Sequence, residues 1–240
     1  MNNILPGFKR ASGTNKHRLI VAVDGVEKHG KTHFSLTAPG PIAVINLDVG
    51  HEGVVGKFCD NKHIEVSDYL VDPRAEEVDY GALWERLKND YYTALEDKTF
   101  RTIVFDTATE VWDLLRLARF GKLTQIMPHK YTEVNTEYRE MMRTAYSNDK
   151  NLVLLHKVKD EWVNDASTGR KIRAGFKDTG YLVQANVLAY RDAANNNQFT
   201  IRVNDCRQNA FLKDFELAGE AATFPNLAAT IFGDDIANWE

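Results

Sequence analysis

Apolar residues fall in short dense runs separated by amphipathic stretches. Arg18–Asp24 is almost continuously apolar and β-branched, which predicts a strand covered on both faces, as in a parallel sheet. Ile42–Leu47, Thr102–Asp106 and Leu152–Leu155 repeat that pattern, and Ile64–Val66 predicts a shorter strand. Leu83, Leu87, Tyr91 and Leu95 recur every four residues and predict one helix. Val111, Leu114, Leu115 and Ala118 mark a second helix, and Tyr138, Met141, Met142 and Ala145 a third. Beyond residue 160 the pattern turns to strands. Glu161–Val163 and Lys171–Arg173 flank the turn formers of Asn164–Arg170 and predict a hairpin. Val187–Tyr190 and Phe199–Val203 follow, separated by the polar turn Ala193–Gln198. Strands alternating with helices predict an α/β fold with a mostly parallel central sheet flanked by helices, extended by a β-rich C-terminal part. Residues 1–17 are polar and predict a loose arm, and 18–240 a single domain.

Between the first strand and the helix expected to follow stands Gly25-Val26-Glu27-Lys28-His29-Gly30-Lys31-Thr32, followed by His33. This is G-x-x-x-x-G-K-[ST] without a gap, a phosphate loop. A triphosphate is a dense anion, and amide hydrogens gathered in a tight loop form a preformed site for it. Gly25 and Gly30 allow backbone angles that a Cβ obstructs. Lys31 is expected at the β- and γ-phosphates of ATP, and the Thr32 hydroxyl on Mg²⁺.

Such a loop needs a carboxylate at the end of a neighbouring strand to complete the Mg²⁺ shell. Asp106 ends the third apolar run and has that chemistry. It also stands where a helix N-cap would, and the two roles are compatible. A carboxylate after the second strand, Glu52 or Asp48, is a candidate to orient the attacking water. His156, ending the fourth strand beside Lys157, is either a sensor of the γ-phosphate or an ordinary strand-end histidine.

Charge and composition narrow the classes. Hydrophobic residues make up 43% of the 240 and charged residues 27%, an ordinary globular balance. A protein that coats nucleic acid through its global field is usually basic, whereas the net charge here is −4, so any contact with DNA needs a local basic patch. Two cysteines, Cys59 and Cys206, cannot build a four-thiolate zinc site and suit a reducing compartment. No signal-peptide core and no run of membrane-spanning length occurs, so a cytoplasmic protein is expected.

Gly25–Thr32, Asn46–Val55, Ile103–Thr107 and Leu154–Glu161 together resemble phage-encoded AAA-type nucleotide-binding proteins with a RecA-like P-loop core. That group includes the Sak-type single-strand annealing proteins, similar to truncated RecA-type recombinases. The resemblance runs from about Arg18 to about Gly233. It implies an ATPase that binds single-stranded DNA, assembles as a homo-oligomeric ring or filament, and acts in recombination or replication in the host cytoplasm, with a single-strand-binding or replication protein as a further partner. It also implies that the His156 strand lies between the phosphate-loop strand and the Asp106 strand. RecA-like proteins activate water with a glutamate two residues after the Asp48-type position; here that position is Gly50 and the glutamate arrives at Glu52. The DNA-facing loops would match Arg119–Tyr131, with Lys122 and Lys130, and Lys157–Lys177, with Lys159, Arg170, Lys171 and Arg173. Phe120, Tyr131, Trp162 and Phe176 interleave these cations as candidate stacking faces. Two other classes remain open: a nucleotide-dependent switch that recruits a replication protein, and a small-molecule kinase, for which no lid is apparent.

Overall fold

The computed structural model describes residues 7, 16–72, 74–123 and 125–240. The arm expected over residues 1–17 falls outside the described residues except for Gly7, Lys16 and His17.

Among the described residues ten strands form, in chain order: β1 (Ile20–Asp24), β2 (Ile42–Asn46), β3 (Ile64–Asp68), β4 (Thr102–Asp106), β5 (Asn151–His156), β6 (Val158–Val163), β7 (Ala166–Arg173), β8 (Ala185–Asp192), β9 (Gln198–Cys206) and β10 (Glu216–Ala218). The α-helices are α1 (Lys31–Leu36), α2 (Tyr80–Glu96), α3 (Ala108–Phe120), α4 (Tyr131–Ala145), α5 (Thr179–Leu182) and α6 (Phe224–Phe232). Eight strands make one sheet in the order β10-β9-β8-β1-β5-β4-β2-β3. The six from β8 to β3 run parallel, and β9 and β10 add antiparallel to the β8 edge. β5 therefore lies between β1 and β4, as the resemblance implied.

Alternation along the strands explains both layers. Ile20, Ala22, Ile45, Phe105 and Leu154 face α2, α3 and α4, where Trp84, Leu87, Tyr91, Leu115 and Met141 meet them. Val21, Val23, Val44, Val153 and Val187 face the other way, onto Phe34 of α1 and Phe224, Leu227 and Ile231 of α6. A strand buried on both faces has no polar side, which is why these runs read as continuously apolar.

The expected hairpin is longer and tighter than its sequence pattern indicated. β6 and β7 pair antiparallel around Asn164-Asp165, whose φ values of 51° and 60° match the two-residue turn that right-handed strand twist favours. Exposed polar strand positions carry no apolar signature, so the pattern showed only its ends. Phe176, expected to stack bases, is 2% exposed and packs against Trp112 and Tyr138 at ring distances of 4.9 and 5.0 Å. Both cysteines are free thiols. No helix among the described residues is long and apolar enough to cross a membrane.

Candidate nucleotide site

The loop Gly25–Thr32 leaves the C-terminal end of β1 and runs into α1, so it faces the end of the sheet where β4 and β5 also finish. Lys28 and Gly30 take left-handed φ values of 60° and 83°, the kind of backbone turn from which anion-binding loops are built. Two glycines meet real steric limits. A Cβ at Gly25 would lie 2.6 Å from the Ala189 carbonyl oxygen of β8, and one at Gly30 would lie 2.9 Å from the Phe199 ring. Gly25→Ala is expected to push β1 from β8 and to cost about 2 kcal/mol, the usual scale of overpacking. The check is chemical denaturation, with a parallel loss of nucleotide affinity.

Lys31 and Thr32 open α1, and the Lys31 side chain folds back onto the loop. Lys31 Nζ donates to the Gly25 and Val26 carbonyls at 2.7 Å each. Burial lowers the Lys31 pKa, while Asp106, Glu27 and Asp48 raise it and Lys157 lowers it again. Thr32 Oγ1 donates to Asp106 Oδ2 at 2.8 Å, although the two residues are 74 apart in the chain. Thr107 caps α3 by accepting from Glu110 N at 3.3 Å. The cap is thus Thr107, which leaves the Asp106 carboxylate to Thr32.

Asp106 is 3% exposed, and burial raises its pKa despite the Thr32 hydrogen bond. Among the described residues it forms no ion pair within bridge distance. A buried carboxylate and a threonine hydroxyl in contact suit a hard cation with oxygen ligands. Mg²⁺ fits this set, because it takes few protein ligands and completes its shell with phosphate and water. Thr32 and Asp106 are the residues that would hold it, and the ion would supply charge neutralisation between the phosphates.

A cleft of 680 Å³ gathers Gly25, Lys31, Thr32, Asp48, Asp106 and Lys157, with Glu27, Lys28 and His33 also on its wall. Lys157 follows β5 directly. Its Nζ pairs with Asp48 Oδ2 at 3.2 Å and with Glu110. Burial opposes that charge, but the hydrogen bonds and fields of Glu110 and Asp48 outweigh it and raise the pKa. Its backbone N–H donates to Thr109 Oγ1 at 3.0 Å, which fixes the chain where it leaves the sheet.

Other expected residues are placed elsewhere. Glu52 is exposed in the loop after β2 and does not line the cleft, whereas Asp48 and Gly50 do. A Cβ at Gly50 would stand 3.9 Å from Thr32 Oγ1. His156 is fully buried and stays off the cleft wall. Burial and the neighbouring Arg173 hold its pKa well below the ordinary value, and its Nδ1 lies 3.3 Å from the Ala174 carbonyl. It is a neutral core imidazole beneath the site, not a group in contact with the cleft. Arg173 is corrected as a free cation for DNA: its Nε and Nη2 donate to the Asp24 carboxylate at 2.6 and 2.9 Å, and Nη2 also to Asn186 Oδ1 at 2.7 Å. The remaining cations, Lys122, Lys130, Lys159, Arg170 and Lys171, are exposed, with Lys171 paired to Asp160 at 2.6 Å. The sequence reading missed Arg191, at the end of β8, which lines the cleft. No local motif marks it; only the β1–β8 pairing brings it there.

A parallel sheet with an intact phosphate loop, a lysine and threonine at its helix, and an acid on a neighbouring strand define a P-loop nucleotide-binding protein. A model of the AAA domain family matches residues 17–186, and the chain belongs to that family. No curated protein matches it.

Proposed function

We propose that this chain is a RecA-like, Mg²⁺-dependent ATPase that binds single-stranded DNA and promotes annealing or strand exchange as a homo-oligomer. The observation that carries this reading is the placement of the β6–β7 hairpin. Lys157 touches the cleft, and the hairpin begins at the next residue. A change in the charges around Lys157 on nucleotide binding therefore acts at the root of the hairpin. Lys159, Arg170 and Lys171 on that hairpin are exposed, and Trp162 is 64% exposed. Cations and an open aromatic face are what a single strand needs, phosphates for the first and bases for the second. Acids dilute the patch: Asp160 pairs with Lys171, and Glu161 accepts from Thr168 at 2.8 Å.

Filter binding at low salt tests this. Wild type is expected to retain single strands more strongly with ATP, and to turn ATP over faster when they are present. The double variant Lys159→Glu, Arg170→Glu is expected to lower the salt dependence of log affinity by about 1.4, since each phosphate contact on a single strand contributes about 0.7. Absence of DNA retention with and without ATP overturns the reading.

A second reading, a nucleotide-dependent switch that recruits a replication partner, is favoured by Gly50. Where RecA-like proteins carry the water-activating glutamate this chain has none, and Asp48 is tied to Lys157. Turnover is then slow, and the bound nucleotide acts through the hairpin. Gly50→Glu is expected to raise the ATPase rate about a hundredfold, the lower end of what a positioned base supplies. An unchanged rate in a folded variant removes this explanation for slow hydrolysis.

A further inference from the structure

α1 carries both residues that the site asks of its helix, Lys31 and Thr32, yet it is only six residues long. A helix that short has few hydrogen bonds of its own, and its last carbonyls find no partner inside it. The chain beyond it is poorly equipped to supply them. Pro39-Gly40-Pro41 follows almost at once, and two of those three residues have no N–H to give. Water is a poor substitute, because Leu36 and Ala38 are fully buried. The donors come instead from Lys62, 24 to 26 residues away. Its Nζ donates to the carbonyls of Leu36, Thr37 and Ala38 at 3.1, 2.8 and 2.7 Å. An ammonium has three N–H groups, and this one engages three carbonyls. Burial lowers the Lys62 pKa, and among the described residues no charged neighbour acts against it. The cation therefore serves the end of the helix and no carboxylate, where its charge also suits the helix dipole.

Lys62 is itself fixed to the sheet. Its backbone N–H donates to the Phe58 carbonyl at 2.8 Å, and the carbonyl of the next residue, His63, accepts from Ile42 N at 2.9 Å where β2 begins. Phe58 in turn meets the His33 ring of α1 edge-on at 5.0 Å. The segment between β2 and β3 thus holds α1 at its first turn and at its end.

We propose that Lys62 is a positioning residue for the nucleotide site: by closing the C-terminal end of α1 against the sheet, it fixes where Lys31 and Thr32 meet the phosphates and Mg²⁺. The inference rests on the phosphate cleft being the Mg²⁺–ATP site. Lys62 does not line that cleft, so its effect passes through α1. Misplacing a binding group by about 1 Å through a distant substitution is enough to lose about a hundredfold.

Calorimetry of Mg²⁺–ATP binding to Lys62→Arg, Lys62→Gln and Lys62→Met tests this, with a thermal melt of each variant. Lys62→Met keeps the stem and removes every donor. It is expected to weaken ATP at least about tenfold at temperatures where it is folded, the scale on which supporting partners act. Lys62→Arg keeps the charge, with its donors in a planar fork, and is expected to stay within about threefold of wild type. Lys62→Gln keeps donors without charge and is expected to fall between the two. A lysine that served stability alone would lower the melting temperature and leave the affinity of the folded protein unchanged. If Lys62→Met fails to fold, the ranking of Lys62→Gln below Lys62→Arg carries the test. ATP affinity equal to wild type in every folded variant overturns the proposal. Wild type that binds no ATP is a different failure: it overturns the assignment of the cleft, and the role of Lys62 with it.

Discussion

Lys31→Ala is expected to lower ATP affinity by at least about a hundredfold and to leave no measurable turnover. The ammonium is folded back onto the loop, held by the Gly25 and Val26 carbonyls at 2.7 Å. Hydrogen bonds to a charged group contribute about 1.5–3 kcal/mol each, and two phosphate contacts sum to about 3 kcal/mol or more. That corresponds to about two decades in the dissociation constant. The fold is expected to persist, because the Lys31 ammonium contacts only two loop carbonyls and no core group. Calorimetry of ATP binding with a thermal melt distinguishes the two effects. Unchanged ATP affinity in the folded variant would remove Lys31 from the site.

Arg173→Ala is expected to carry the largest loss of stability, about 3 kcal/mol. Arg173 and Asp24 form a bidentate pair with side chains 13% exposed each, at the point where β1 enters the phosphate loop. Removing one partner strands the other charge in a site of low polarity, and such a loss is about 3–5 kcal/mol for a fully buried pair. Partial solvent access places this pair at the lower end. Urea denaturation measures it. The double variant Asp24→Asn, Arg173→Ala is expected to recover part of the loss, because no charge remains unpaired. A loss under about 1 kcal/mol in Arg173→Ala would show that water already screens the pair. Arg173 joins the base of the hairpin to the strand that feeds the nucleotide loop. The same variant is therefore expected to weaken any nucleotide effect on DNA retention without changing its salt dependence.

The sequence by itself determined what depends on neighbours along the chain. The phosphate loop is eight contiguous residues whose glycines, lysine and threonine act through local backbone angles. The parallel strands were legible because burial on both faces favours unbroken apolar runs, as in Ile20–Val23 of β1 and Ile103–Phe105 of β4. The helix faces were legible from their 3.6-residue period, and all four residues named for α4 are buried. Tertiary structure decided everything that joins distant segments. Thr32 meets Asp106 across 74 residues, and Asp24 meets Arg173 across 149, because sheet order sets those distances, not spacing in the chain. A cation has the same letter whether it faces solvent or a buried carboxylate, so Arg173 and Lys159 looked alike until the sheet separated them. Phe176 went to the core and Trp162 to solvent for the same reason: an aromatic residue in a loop is assigned by what packs over it. Arg191 reached the cleft only when β8 paired with β1.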